Sequence, residues 1–78
     1  MRLIGSQGSE PIWWAAEACG GSRHYVGKVL VRIDSDSSLH PFAVYDMTSV
    51  DGVNWNTCQG AYCKTRKEAE RLFMERVV

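Results

Sequence analysis

No apolar stretch of this 78-residue chain approaches the eighteen or so residues that a membrane-spanning helix needs. The first eight residues lack the apolar run of a secretory signal. Charge of one sign is missing too: nine lysines and arginines offset nine aspartates and glutamates. Long-range attraction to nucleic acid or to an anionic membrane is therefore not written into the net charge. Cysteine is scarce, and its number, three, is odd. That fits reduced thiols in a cytoplasmic protein better than a disulfide framework. Absent as well are a nucleophile elbow, a metalloprotease helix and a phosphate-binding loop.

Enough is present for one domain over 1–78, and no linker, repeat or low-complexity run divides it. Apolar residues make up 45% of the chain and charged residues 23%, the balance of a folded protein. A domain this short has a thin stability margin and little core to spare for a walled catalytic cleft. The expectation is a binding protein with no catalytic residues and no cofactor.

The fold expected is α+β: a small antiparallel sheet of three to four strands, a C-terminal helix on one face, and a short N-terminal helix. The N-terminal helix covers 12–19. Ser9 caps it, Pro11 fits its first turn, three alanines supply propensity and Gly20 ends it. Alternation of Ile12, Trp14, Ala16 and Ala18 is the competing strand pattern. Residues 24–34 alternate clearly, with Tyr25, Gly27, Val29, Val31 and Ile33 on one face. A polar turn follows at 35–38, then a strand over 41–48. Asp51-Gly52 marks a hairpin, Val53 opens the returning strand, and Gln59-Gly60 marks a bulge. Thr65 and Glu68 form a capping box, after which Ala69, Leu72, Phe73 and Val77 recur at helical spacing.

Three groups of residues are candidates for binding. Lys64, Arg66 and Lys67 surround a helix N-terminus, where the macrodipole disfavours cations, and free amides with three bases suit an anion. His24, Lys28 and Arg32 project from one strand face, which forms a binding surface if the helices cover the other face. Trp13, Trp14 and Trp55 exceed what one small core easily buries, and tryptophan and arginine dominate binding hot spots. Zinc is a further possibility left open: Cys19, His24, Cys58 and Cys63 are two donor pairs, each separated by four residues. His24 and His40 are weak candidates for a general base. Asp34, Asp36 and Ser38 begin like a calcium loop, but Leu39 and Tyr45 stand where glycine and glutamate are needed.

The stretch 60–73, GAYCKTRKEAERLF, resembles the strand-to-helix ending of small phage and mobile-element accessory proteins, among them the anti-CRISPR proteins. The resemblance implies a phage-encoded inhibitor of a host defence complex, acting in the host cytoplasm. Its partner would be a protein, or a nucleoprotein complex with an acidic or phosphate-bearing surface. The alternatives are a nucleic-acid binder using Lys28, Arg32, Lys64, Arg66 and Lys67, and a zinc-stabilised interaction module.

Overall fold

A computed structural model describes residues 2–4, 9–18, 24–33 and 40–77. Strands β1 (Arg2–Ile4), β2 (Ser9–Ala18), β3 (Tyr25–Ile33), β4 (Phe42–Ser49) and β5 (Asn54–Cys63) are followed by helix α1 (Arg66–Val77). The five strands form one sheet in the order β1-β5-β4-β3-β2. From β2 to β5 every neighbouring pair is antiparallel, whereas β1 runs parallel to β5. Among the described residues no helix is long and apolar enough to cross a membrane.

Two parts of the expected fold are corrected. There is no N-terminal helix over the described part of 12–19: these residues belong to β2, and the sheet has five strands of mixed direction, not three or four antiparallel ones. The alanines favour helix by well under a kcal/mol each over most residues, a weak preference. Pairing along β3, from Ser9 opposite Ile33 to Ala18 opposite Tyr25, outweighs it. Pro11 takes an edge-strand place beside a register shift, where its missing donor is tolerated. The three-residue β1 has no alternating pattern to reveal it. Tertiary contact creates it: the Arg2 amide donates to the Val53 carbonyl, and the Thr57 hydroxyl donates to the Ile4 carbonyl. The proposed cap at Gly20, the turn at 35–38 and the calcium-like positions 34–39 lie outside the described residues.

Chain length forces the sheet to curl. Through the strand registers Ile4 is level with Asn56, Thr48, Val26 and Glu17, at the far end of β2 from Ser9. In a flat sheet the two would be about 30 Å apart, from the usual strand spacing and rise. Five Cα-to-Cα links separate them, which span at most about 18 Å. Only a strongly twisted, half-barrel sheet satisfies both.

Curling makes two cores. Inside the curl Val29, Val31, Ala43, Met47 and Trp55 are buried, with Leu3, Ile33 and Tyr45 packed against them. On the outer face Leu30, Val44 and Cys63 meet Ala69 and Phe73 of α1. Leu72 is half-buried there, whereas Val77 is exposed and Arg76, expected in solvent, is drawn in. The Thr65 hydroxyl accepts from the Glu68 amide at 3.2 Å, as the N-cap pattern requires.

Candidate partner-binding surfaces

Arg32 is the penultimate residue of β3 and Arg66 opens α1, and both line one open cleft with Glu10, Ile12, Pro41 and Phe42. Its volume is about 560 Å³. The fold explains the meeting. Arg32 is paired with Phe42 and Phe42 with Cys63, so the end of β3, the start of β4 and the end of β5 share one rim. Helix α1 starts three residues beyond Cys63, on the same rim. Lys64 and Lys67 are exposed beside it, and Lys67 lines a shallow recess with Thr65, Glu68 and Arg71. Arg66 holds Glu70 through its Nε at 3.0 Å. Such an exposed i,i+4 pair is worth only a few tenths of a kcal/mol, so a partner carboxylate can displace it.

Lys28 is placed differently. Helix α1 covers the face that carries Leu30, the same face as His24, Lys28 and Arg32, so the condition for an open His24–Arg32 surface is not met. The Lys28 ammonium lies 3.0 Å from Asp46, whose carboxylate also takes Arg76 at 3.3 Å. Arg76 donates as well to the Gln59 carbonyl at 3.2 Å. Here Lys28 fastens the helix end to the sheet, beside a cleft of about 280 Å³ that also includes Glu17 and Val26. Arg32 alone of the three reaches the basic rim.

The tryptophans separate as well. Trp55 is buried in the inner core, edge-on to Tyr25 at 6.3 Å between ring centroids, and offers no surface. Its indole N–H has no acceptor among the described residues. Trp13 leans edge-on against Phe73 at 6.0 Å, on the helix side. Trp14, on the opposite face of the same strand, is 54% exposed.

The structure does not bring the two histidines, or Cys58 and Cys63, together. His24 precedes the start of β3 and His40 the start of β4. Antiparallel pairing therefore puts them at opposite ends of an eight-pair ladder, about 24 Å long at the usual rise. Cys58 and Cys63 lie on one strand with about 16 Å between them at that rise. Two sulfurs on one zinc must lie within about 4.6 Å. Cys63 is buried, and burial pushes its thiol pKa up, with Glu68 adding to the effect and Arg76 opposing it. It is a protonated packing group at neutral pH. No group of three or more metal-donor residues occurs among the described residues, and Cys19 lies outside them.

In comparisons with family models, with curated proteins and with solved structures, nothing matches this chain.

Sequence reasoning missed Tyr62. This residue is 59% exposed, and its hydroxyl accepts from Tyr45 at 3.3 Å. Burial, followed by the hydrogen bond and charge of Tyr62, pushes the Tyr45 phenol up to about 12. The Tyr45 phenol therefore stays a neutral donor near pH 7. No local signal in the sequence marks Tyr62 as surface.

Proposed function

We propose that this chain is a non-catalytic protein-binding module whose basic rim, Arg32 and Arg66 with Lys64 and Lys67, takes an acidic segment of a partner. One observation carries the reading: two arginines 34 positions apart in the chain line the same open cleft, floored by Ile12 and Phe42. A guanidinium matches a carboxylate bidentately, and an apolar floor excludes water from such a pair. The helix N-terminus adds its partial positive charge at this rim. In keeping with the resemblance of 60–73, the partner belongs to a host protein assembly that the module inhibits.

Binding of a fluorescent polyglutamate peptide tests this, with a single-stranded oligonucleotide as the competing probe. The R32E/R66E double variant should stay folded and lose about tenfold or more in peptide affinity, the value of one charge-assisted hydrogen bond. Unchanged peptide affinity in that variant sinks the proposal. Tighter oligonucleotide binding with a steep loss in salt would instead favour the nucleic-acid alternative.

A further inference from the structure

We propose that the outer edge of β2 over residues 13–18 is a self-association site, where a second copy of this chain pairs antiparallel across a two-fold axis. Among the described residues β2 is the last strand of the sheet, so one row of its backbone donors and acceptors has no partner strand there. No other described strand can supply one. β1 has three residues against ten in β2, and its end is tethered within five links of Ser9, at the opposite end of β2 from Ala18.

Of the devices that blunt sheet edges, the proline and the register shift lie in the other half of β2. Pro11 and the register shift between Pro11 and Trp13 protect the start of the strand. Beyond them the edge reads Trp13, Trp14, Ala15, Ala16, Glu17, Ala18, with one charge and no proline. Trp14 is 54% and Trp13 37% exposed, and Ala16 and Ala18 are exposed too. An open, regular, apolar edge is a template for another strand.

The occupant follows from the self-complementarity of these six residues. Outward-pointing residues alternate along a strand, so a two-fold must pass through a residue and its own copy. Through Ala15, it sets Trp14 opposite the second copy's Ala16 and Trp13 opposite its Glu17. Through Ala16, it sets Trp14 opposite Ala18 and Glu17 opposite Ala15. In both registers each Trp14 ring meets a methyl group, and Glu17 never faces Glu17. Like charges directly opposite would destabilise the pair. Nine bases against nine acids leave no net charge to hold two copies apart.

Sedimentation and hydrogen exchange on the intact chain, over a range of concentrations, decide the matter. The mass should rise towards twice 8.8 kDa. Alternate amides of 13–18 should become protected in parallel with that rise. Ala16→Lys, at an exposed position, should hold the chain monomeric and abolish the concentration-dependent protection. A monomer throughout overturns the proposal, as does a dimer in which the 13–18 amides exchange as they do at low dilution. Protection there that is independent of concentration, from a co-purified peptide, overturns it too. None of these outcomes touches the basic rim, which lies at the other end of β2, so peptide binding to Arg32 and Arg66 stands or falls separately.

Discussion

At the scale of residues, Gly27 and Gly60 look alike in the sequence and differ in the structure. A Cβ on Gly27 would run into the backbone carbonyl of Ala15 and lie 3.0 Å from the Ala16 Cα and the Met47 methyl. Backbone of the paired strand cannot step aside without disturbing the β2–β3 ladder. A Cβ on Gly60 would meet only the ring of Tyr45, a side chain that can turn at the cost of its bond to Tyr62. Gly27→Ala should therefore lower stability by about 1–3 kcal/mol, the usual cost of overpacking, despite the smaller entropic gain of losing a glycine. Gly60→Ala should cost clearly less. Urea midpoints of the two variants check this, and a Gly27→Ala protein as stable as the parent would refute it.

Asp51 is the second residue whose role is local. Its carboxylate accepts from the Asn54 and Val53 amides at 2.8 Å each, then from the Asn54 side chain and from Ser49. Those donors hold its pKa well below the ordinary value near 3.8. A depressed folded-state pKa contributes stability above the unfolded value, and that contribution disappears as pH falls towards the folded one. The Tm advantage of the parent over Asp51→Asn should thus be constant from about pH 8 to 5 and shrink below about pH 4. An advantage that grows on acidification would contradict this hydrogen-bond assignment. Ser49, buried beneath the loop, accepts from the Gly52 amide at 2.8 Å, and its single hydroxyl proton is shared between the Asn54 carbonyl at 2.6 Å and the Asp51 carboxylate at 3.0 Å. Gly52 supplies the positive φ of 77° that the loop needs.

Among the elements, β1 contributes more than its three residues suggest. Leu3 packs against the inner cluster and is paired with Trp55. Among the described residues no helix shields that face, so β1 and the curl of the sheet keep water from Trp55. Deletion of 1–4 should cost about 2 kcal/mol or more, as removal of a packed leucine does, and red-shift the tryptophan emission. Unchanged emission and stability would mean that β1 merely decorates the edge. The bulge of β5 is the other element-level device. Gln59 and Gly60 stand opposite the single residue Tyr45, with Gln59 at φ 50°. The extra residue keeps Cys63 on the helix side and Tyr62 on the inner side, so both cores draw on one strand.

For the whole molecule, the curled sheet works as the wall between two cores and as the frame of two surfaces. One rim collects Arg32, Arg66, Lys64 and Lys67, because β3, β5 and α1 begin or end there. Among the described residues the outer edge of β2 has no neighbour, because β1 is too short and is held at the wrong end. The proposed partner capture and the proposed self-pairing would thus use different parts of the same sheet.

The sequence by itself determined what depends on neighbours a few residues apart. Helix α1 with its Thr65 cap, the inner and outer faces of β3, the Asp51-Gly52 loop and the Gln59-Gly60 bulge are all set by local hydrogen bonding and side-chain alternation. Only the tertiary structure decided the rest. Residues 12–18 carry both a helix pattern and a strand pattern, and pairing with β3 chose between them. Two residues of the expected site changed role for the same reason: Trp55 went into the core, and Lys28 went to Asp46. Arg32 and Arg66 were each legible as candidates, yet their shared cleft depends on strand registers that close over tens of residues. Such contacts gain their free energy only once the chain between them is ordered, and no local window of sequence carries that term.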